Sequence, residues 1–461
     1  MNNFLGQLRD LVGEANLLTE AHDTAAYLND WRGNYRGKAL AVIKPENTEQ
    51  IAAIVKHCAK ASVSIVPQGG NTGLVGGGIP NPDGQSLLLS LTRLNRIRAI
   101  DAANHSITAE AGVILQRLQQ VADQAGYLFP LSLASEGSCT LGGNLSTNAG
   151  GTAVLRYGNT RELTLGLEVV TAQGEIWHGL RSLRKDNTGY DLKHCFIGAE
   201  GTLGIITAAV MKLFPKPQQT VVALVAVADP QAAVALLNRL SNIMGSRLVA
   251  FELISRHCVE LVCQHLGATE PFTTAYPWQI LIEVNETSTH FPLREMLENT
   301  LSRALEESAA LDALIATSEA QSQALWRLRE DISEAQRING KNIKHDISVP
   351  ISRIPEFITQ CDRALRQAYP SITLVCFGHL GDGNLHYNCG LPDSGLSQAA
   401  AINRIVYDHV DQVEGSISAE HGLGQLKRLE ILRHKSPIEI DLMRALKRAL
   451  DPDNLMNPGK V

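Results

Sequence analysis

Apolar residues recur with two different periods along the first half of this chain. Residues 41–45 (AVIKP) and 64–68 (SIVPQ) are short apolar runs that predict strands. Between them, the spacing of Ile51, Ile54 and Val55 predicts a helix. Strand, helix and strand in this order are the local pattern of a βαβ unit. The first half therefore predicts strands and helices in alternation.

The pattern changes near Thr220. VVALVAVAD predicts a strand, PQAAVALLNRLSNI predicts a helix, and residues 294–315 (REMLENTLSRALEESAALDALI) predict one long helical stretch. Glycine is dense between Gly69 and Gly151 and sparse after Gly204, which also indicates a boundary. The second half is therefore predicted to form an antiparallel sheet with helices on one side.

Composition excludes several classes of protein. The chain has 461 residues, 44% hydrophobic and 19% charged, which favours a soluble globular protein over a disordered one. A net charge of -6 supplies no basic field for nucleic acid or anionic lipid. No run of 18 apolar residues and no apolar signal core is present, so we expect neither a membrane span nor a secretory signal, and a cytoplasmic location. The eight cysteines form no C-x-x-C pair, which argues against a thiolate metal site.

Three separate segments are rich in glycine, and the first directly follows a predicted strand. In the first, PQGGNTGLVGGGIP, six glycines lie between Gly69 and Gly78, where backbone N–H groups can approach a pyrophosphate without a Cβ in the way. The third is GAEGTLGIIT, residues 198–207. The second, residues 135–158, mixes hydrogen-bonding side chains with small residues: Ser138, Thr140, Asn144, Thr147 and Asn148 with Gly142, Gly143, Gly150 and Gly151. Neither G-x-G-x-x-G nor a P-loop occurs, yet the three loops together suit a long, flat ligand better than unrelated turns.

The segment CFGHLGDGNLHYNCG is the most informative for chemistry. Asp382-Gly383 predicts a two-residue hairpin loop, in which His379 faces His386. Opposed residues have Cβ atoms about 5 Å apart, so the two imidazoles could hold one divalent ion, with Asn388 on the same face. The alternative is an ordinary pair of histidines, exposed or hydrogen-bonded in the core.

A third ligand would decide between these alternatives. SISAEHGLG (416–424) predicts a short strand that ends in Glu420 and His421. Neighbouring residues of a strand point to opposite sides, so Glu420 could join the imidazoles while His421 faces a reacting group. Two imidazoles and a carboxylate with open positions are typical of catalytic zinc, although manganese and iron also accept this set.

Two further segments offer groups for a substrate carboxylate. Arg329 and Ser333 are four residues apart on a predicted helix and share a face. Lys344 lies on a predicted strand whose apolar face carries Ile343 and Ile347, so it projects to the other side. The residues alone leave open the alternative that all three are solvated surface residues.

The three glycine-rich segments resemble the FAD-binding domain of the vanillyl-alcohol oxidase and p-cresol methylhydroxylase superfamily. Within it, the chain from about Arg36 to its end is similar to the FAD-dependent D-2-hydroxyacid dehydrogenases, most of all to the D-2-hydroxyglutarate dehydrogenases. The resemblance implies an α+β protein with a two-subdomain FAD-binding domain, an α+β cap domain with an antiparallel sheet, and a C-terminal helical segment. The predicted boundaries are a helical segment at 1–35, the FAD-binding domain at 36–216, the substrate- and metal-binding cap at 217–423, and a C-terminal segment at 424–461 that packs back on the FAD domain.

The resemblance also implies roles for particular residues. Many relatives attach the flavin through a histidine where Asn71 stands, so we expect non-covalent FAD. The implied FAD contacts are Pro67, Gly69, Gly70, Asn71, Thr72, Gly73, Pro130, Gly137, Ser138, Thr140, Gly142, Gly143, Asn144, Thr147, Asn148, Gly150, Gly151, Gly204, Ile206, Glu420 and Asn457. The implied metal ligands are His379, His386 and Glu420, and the implied base is His421. The implied substrate contacts are Arg329, Ser333, Lys344, Asn388 and His421, with serine at a position that is often threonine.

The function implied is oxidation of a D-2-hydroxy acid, foremost D-2-hydroxyglutarate to 2-oxoglutarate, with FAD and a metal, usually zinc. His421 would remove a proton while hydride passes to FAD. The alternatives are a D-lactate or glycolate dehydrogenase of the same fold, or a non-catalytic flavin electron-transfer subunit. An electron-transfer flavoprotein or a quinone is the expected electron acceptor, nucleic acid is not expected as a partner, and a homodimer is compatible with these expectations.

Overall fold

The computed structural model describes residues 2–391 and 397–460. They divide into two compact units. Unit 1 runs to Gly151, covers Gly158–Lys216 and resumes at Glu420. Unit 2 comprises Thr152–Tyr157 and Pro217–Ala419. The chain thus passes from unit 2 into unit 1 between Ala419 and Glu420, four residues before the predicted boundary after residue 423.

Both units of the described chain contain helices and strands. The elements before unit 2's main segment are α1 (Asn2–Val12), β1 (Leu17–Leu18), α2 (Ala21–Leu28), β2 (Val42–Ile43), α3 (Thr48–Ala61), β3 (Ile65–Gln68), β4 (Leu87–Ser90), β5 (Ile97–Asp101), β6 (Ser106–Glu110), α4 (Leu115–Gln124), β7 (Tyr127–Leu128), α5 (Leu141–Thr147), α6 (Val154–Tyr157), α7 (Thr160–Leu163), β8 (Thr164–Val170), β9 (Ile176–Gly179), α8 (Lys193–Phe196), β10 (Ile205–Lys212) and β11 (Phe214–Pro215). The elements that follow are β12 (Gln219–Val227), α9 (Pro230–Met244), β13 (Leu248–Ser255), α10 (Arg256–Leu266), β14 (Trp278–Glu286), α11 (Leu293–Glu306), β15 (Asp312–Ile315), α12 (Glu319–Glu330), α13 (Ile332–Asn339), β16 (Asn342–Ile343), β17 (Asp346–Ser348), α14 (Ile354–Ala368), β18 (Thr373–His379), β19 (Asn384–Gly390), α15 (Ala399–Gln412), α16 (Ile431–His434) and α17 (Pro437–Leu450).

Unit 1 contains a mostly parallel sheet and an antiparallel sheet. In the first, the order is β1-β2-β4-β3, and both β2 and β3 run parallel to β4, which lies between them. The helix that joins β2 to β3 is α3; it begins where the Asn47 side chain accepts a hydrogen bond from Gln50 N–H. The second sheet has the order β5-β6-β10-β8-β9. The predicted strand, helix and strand of the first half are therefore present.

Unit 2 is built on one large antiparallel sheet with the order β15-β12-β14-β13-β18-β19-β16, and β17 also pairs with β19. Alternate residues of each strand face opposite sides of the sheet. On β14, Ile280 and Ile282 pack in the core that α9, α11 and α14 cover, whereas Leu281 packs in a second core beneath α10, α12 and α13. Both faces of this sheet are thus covered. The antiparallel α+β fold predicted for the second half is confirmed, whereas the prediction that helices lie on only one side of the sheet was wrong.

The second core face carries polar residues at one end of the sheet. Glu252 on β13, His379 on β18, and His386 and Asn388 on β19 alternate with apolar residues that belong to the other core. Because β17 pairs Asp346 with His386, its carboxylate lies on the same face. The candidate site residues of unit 2 are therefore gathered by the register of four neighbouring strands.

Two local predictions were wrong. The stretch predicted as one helix over 294–315 ends at Glu306, and its last residues form strand β15, which pairs with β12. Segment 416–424 is not a strand; Ser416 forms an isolated bridge with Ser348, and the rest is irregular. In the first place, pairing with β12 outweighs the local helical pattern, and in the second the segment forms an isolated bridge instead of a ladder with a neighbouring strand.

Candidate active site

The histidine hairpin has a different register from the one predicted. His386 pairs with Phe377 rather than with His379, because residues Leu380–Asp382 form a turn of 3-10 helix before β19 begins. Only Gly383 of the predicted two-residue loop has a positive φ, 87°, whereas that loop would need it at both positions. The register differs by two residues, which keeps both histidines on one face, and their ring centroids lie 5.7 Å apart.

A buried carboxylate joins two of the predicted site residues. Glu252 is 1% exposed; it accepts hydrogen bonds from His379 Nδ1, at 2.6 Å, and from Arg329 Nε, at 2.8 Å. Burial acts to raise the pKa of Glu252, but the charges of His379 and Arg329 and their hydrogen bonds lower it to about 2. Since an ionised carboxylate only accepts, Nδ1 of His379 carries the proton, and His379 can present Nε2 to an ion.

Glu252 also determines which edge of Arg329 is left for a ligand. Arg329 is 7% exposed, and its guanidinium lies over the Phe377 ring at 4.8 Å. Within the described residues its only hydrogen bond is from Nε to Glu252. The two Nη nitrogens therefore remain as a fork that could bind a carboxylate.

We expect Glu252→Gln to weaken zinc binding about 10- to 100-fold. Glutamine offers one oxygen to two donors, so either His379 or Arg329 loses its hydrogen bond and Arg329 loses its counter-ion. Zinc affinity measured by competition with a chromogenic chelator tests this, and Glu298→Gln, on the exposed surface of α11, is the matched control. Equal zinc affinity in the two variants would remove Glu252 from the metal's surroundings.

The other predicted substrate residues are placed differently from one another. Asn388 is buried, with Oδ1 accepting from His345 N–H at 3.1 Å and Nδ2 donating to Gln336 Oε1 at 3.0 Å. Ser333 is exposed and Lys344 is half-buried. Arg329 and Ser333 do not share one continuous helix as predicted, because α12 ends at Glu330 and Ser333 lies on α13. The structure therefore brings Arg329 into the buried cluster and leaves Ser333 at its rim.

Glu420 is bonded to Ala419, the last residue of unit 2, whose N–H donates to Asp346 O at 3.3 Å. Within unit 2, the possible ligand atoms of His379 and His386 lie within 4.8 Å of each other, and within unit 1 so do those of Glu420 and His421. Glu420 and His421 therefore do not point to opposite sides as predicted, because this segment is irregular rather than a strand. Two imidazoles at this separation fit a divalent ion, and a carboxylate is a suitable third ligand for it.

In unit 1, the first glycine-rich loop is a cradle of backbone donors. Within the described residues, no N–H group from Gly69 to Gly78 donates a hydrogen bond. A Cβ on Gly70 would lie 2.0 Å from Ser138 O, and one on Gly69 would lie 2.3 Å from Thr140 Oγ1. The first two loops thus meet at backbone distance, which leaves a row of N–H groups suited to a pyrophosphate.

The side chains of the second loop are mostly used within the protein. Four of the five predicted hydrogen-bonding residues already have partners: Ser138 Oγ donates to Ser135 O, Asn144 Nδ2 to Cys139 Sγ, Thr147 Oγ1 to Gly143 O, and Asn148 Oδ1 accepts from Arg161 N–H. The hydroxyl of Thr140 is buried and has no partner among the described residues. That unpaired hydroxyl beside the N–H cradle fits a bound dinucleotide better than a self-contained turn.

The third loop and the C-terminal segment meet the first loop inside unit 1. Glu200 is buried, and its carboxylate accepts from the N–H groups of Leu423 and Gly424; burial raises its pKa, which these donors oppose. Asn457 Nδ2 donates to Gly77 O and to Glu200 O. Of the remaining predicted FAD contacts, Pro67 packs on Gly201, Gly151 N–H donates to Glu420 Oε1, and Asn71 donates to Ala26 O and Asn29 O.

Three residues of the candidate site were missed by the sequence analysis. Asp346 was given no role, whereas it is buried and its Oδ1 lies 4.0 Å from His386 Nδ1. Glu252 and Gln336 carried no motif; a charged residue between Phe251 and Leu253 on a predicted core strand was the available signal for Glu252.

Comparison with known proteins defines the class. The family described as FAD binding domain matches residues 39–179, and the family described as FAD linked oxidases, C-terminal domain, matches residues 216–461. The fold is shared with p-cresol methylhydroxylase with substrate bound (TM-score 0.77, 18% identity, 100% of this chain and 96% of that chain). It is also shared with 4-ethylphenol oxidase from Gulosibacter chungangensis (TM-score 0.76, 17% identity, 100% and 96%). The chain is thus a flavoprotein oxidoreductase with the vanillyl-alcohol oxidase type of fold, and FAD is its cofactor.

Full-length relatives narrow the class further. D-2-hydroxyglutarate dehydrogenase of Xanthomonas citri pv. viticola is 38% identical over 460 residues, covering 98% of this chain and 96% of the relative. Mitochondrial D-2-hydroxyglutarate dehydrogenase of Arabidopsis thaliana is 38% identical over 457 residues, 98% and 80%. That of Danio rerio is 39% identical over 433 residues, 94% and 80%. The chain belongs to the D-2-hydroxyglutarate dehydrogenase family of FAD-dependent D-2-hydroxyacid dehydrogenases.

The prediction of a cytoplasmic location was wrong. The Arabidopsis and Danio relatives are named mitochondrial, whereas the Xanthomonas relative is named without a compartment. Net charge and apolar content are properties of the folded domains, and they are the same in whichever compartment those domains work. Among residues 2–391 and 397–460, no helix is both long and apolar enough to cross a bilayer.

Proposed function

We propose that this chain oxidises D-2-hydroxyglutarate to 2-oxoglutarate with a divalent metal ion, preferably zinc, in addition to FAD. The observation that carries the proposal is the buried Glu252, which holds both a metal-type imidazole, His379, and a guanidinium fork, Arg329. A 2-hydroxy acid needs such a pair, because its hydroxyl must be polarised while its carboxylate is bound. The names of the full-length relatives support the choice of acid.

The chain's own residues supply binding, orientation and proton removal. The Nη fork of Arg329 would bind a substrate carboxylate bidentately, and Lys344 would add a point charge. His379, His386 and Glu420 would hold the ion, which supplies a Lewis acid that lowers the pKa of the substrate hydroxyl. His421 would accept the hydroxyl proton on a ring nitrogen. Bound FAD supplies the acceptor for the hydride that leaves the α-carbon, so the products are a 2-oxo acid, one proton and reduced flavin.

A substrate comparison tests this proposal. Anaerobic bleaching of the flavin and turnover with an artificial acceptor would be measured with D-2-hydroxyglutarate, D-malate, D-lactate and glycolate, with L-2-hydroxyglutarate as the stereochemical control. We expect kcat/KM for D-2-hydroxyglutarate to exceed that for D-lactate about 10- to 100-fold, because a charge-assisted hydrogen bond to a second carboxylate is worth roughly 1.5–3 kcal/mol. A higher value for D-lactate or glycolate than for either diacid would overturn the choice of substrate.

We infer that the reduced flavin passes its electrons to an electron-transfer flavoprotein or a quinone. The sequence contains no G-x-G-x-x-G fingerprint for a nicotinamide cofactor, which supports an acceptor of another class. Reoxidation rates with each acceptor and with NAD would distinguish them. A homodimer is part of the same proposal, and its test is the mass in solution by light scattering.

A further inference from the structure

An unpaired donor lies beside the candidate site, on the Gln336 side chain. Gln336 is 3% exposed on α13, and its Nε2 is buried with no hydrogen-bond partner in the described part of the chain. We propose that Gln336 Nε2 donates to the distal carboxylate of the substrate, the one further from the reacting carbon, and so selects dicarboxylic 2-hydroxy acids. The inference rests on the proposed function and extends it.

A chain of hydrogen bonds determines the orientation of this amide. The backbone N–H of His345 can only donate, so the atom of Asn388 that faces it is Oδ1. Asn388 Nδ2 therefore faces Gln336, and Gln336 must accept this hydrogen bond with Oε1. Nε2 is then left facing away from Asn388. The orientation follows from a backbone donor and does not depend on a free choice between amide oxygen and nitrogen.

The position along β19 matches the far end of a five-carbon acid. Asn388 lies two residues beyond His386, which is about 7 Å along a strand. Gln336, bonded to Asn388, is therefore separated from the metal-ligand position by about the distance between the hydroxyl and the distal carboxylate of an extended 2-hydroxyglutarate, given bonds near 1.5 Å. A three-carbon acid such as D-lactate does not extend that far and has no group for Nε2 to bind.

Gln336 and Arg329 form a row of two donors on consecutive helices. Arg329 lies on α12 and Gln336 on α13, and both helices contribute to the core that covers the same face of the sheet. Both side chains are buried, and both have nitrogen atoms without a partner among the described residues: Nε2 of Gln336 and the Nη atoms of Arg329. An unsatisfied buried donor costs about 1–3 kcal/mol, which a ligand that supplies the acceptor would recover. A diacid offers carboxylate oxygens to both ends of this row.

Gln336→Glu separates this role from packing. Glutamate keeps an oxygen acceptor toward Asn388 Nδ2 and has nearly the same shape, but it replaces the free donor with a carboxylate oxygen that repels a substrate carboxylate. We expect the ratio of kcat/KM for D-2-hydroxyglutarate to that for D-lactate to fall about 30-fold, mainly through KM. Equilibrium binding of 2-oxoglutarate to the oxidised holoenzyme, followed by the flavin absorbance, should weaken by a similar factor, while binding of pyruvate should not.

The matched control is Gln323→Glu, the same substitution on the exposed face of α12, where Gln323 bonds only to the Glu319 side chain. Its substrate ratio should equal that of the parent. If Gln336→Glu does not retain FAD, Gln336→Met, which lacks the donor and is uncharged, should show the same loss of preference. A parent enzyme that prefers D-2-hydroxyglutarate, with an unchanged ratio in the variant that folds, would overturn the inference alone. A parent that oxidises no diacid would overturn the proposed function.

Discussion

His421→Ala is expected to lower the rate of flavin reduction by D-2-hydroxyglutarate about 1,000-fold, within the 10²- to 10⁴-fold range of general acid–base catalysis, while FAD and metal stay bound. The physical reason is that His421 would be the base for the hydroxyl proton, and histidine is the side chain that most often acts as a general base. Its position supports the role, because a ring nitrogen of His421 and a carboxylate oxygen of Glu420 lie within 4.8 Å of each other. Stopped-flow absorbance of the flavin measures the rate directly.

Two further measurements separate a base from a structural residue. Added imidazole should restore part of the rate in His421→Ala, and the pH profile of the variant should lose the limb assigned to the base. His22→Ala, which removes an imidazole that is 81% exposed in unit 1, is the matched control. Near-parental flavin reduction in His421→Ala would exclude His421 as the base, whereas loss of FAD would show that the variant reports on folding.

His386→Ala is expected to remove metal and activity together, with a loss of activity of at least about 100-fold. Two ligands cannot hold a divalent ion as three can, and the Lewis acid would be lost with it. His386 lies on the same face as His379, and its backbone is fixed on both sides by pairing with Phe377 and Asp346. Removing the ring therefore removes a donor without removing strand pairing.

Metal content by elemental analysis and FAD content by absorbance would be measured on the same sample. His265→Ala, which removes a half-buried imidazole of α10 that bonds to Asn339, is the control. Reconstitution of the stripped parent with zinc, manganese or iron(II) identifies the ion that restores turnover. Unchanged metal content in His386→Ala would refute the ligand set, and full activity after complete stripping would refute a metal-dependent reaction.

The hairpin shows why the two histidines were correctly predicted to share a face of the sheet although the predicted strand register was wrong. The Asp-Gly signal predicted His379 opposite His386, but the turn takes two more residues, so Phe377 pairs with His386. Side chains alternate with a period of two, and an even shift leaves both imidazoles on one face. An odd shift would have sent His386 to the other core. The alternation of polar and apolar residues along β19, which the sequence does show, rules that out.

In the segment with Glu420 and His421, by contrast, a wrong prediction of secondary structure also gave a wrong orientation of the side chains. Their opposite orientation was derived from a strand that does not form, and their ligand atoms instead lie together. A short alternating pattern does not show whether a neighbouring strand exists, and here Ser416 forms only an isolated bridge with Ser348. The residue types suggest metal chemistry from the sequence alone, whereas their orientation depends on the fold.

What the sequence by itself determined is the class of the protein and the residue types of its sites. Glycine-rich loops after strands, the two hairpin histidines and the strand periodicities are local patterns, so they can be read without a fold. Only the tertiary structure decided that Glu252 joins Arg329 to His379, and that Asn388 orients Gln336. These contacts join residues 52 to 127 positions apart, and a buried polar group is identified only when its partner, or the lack of one, is known.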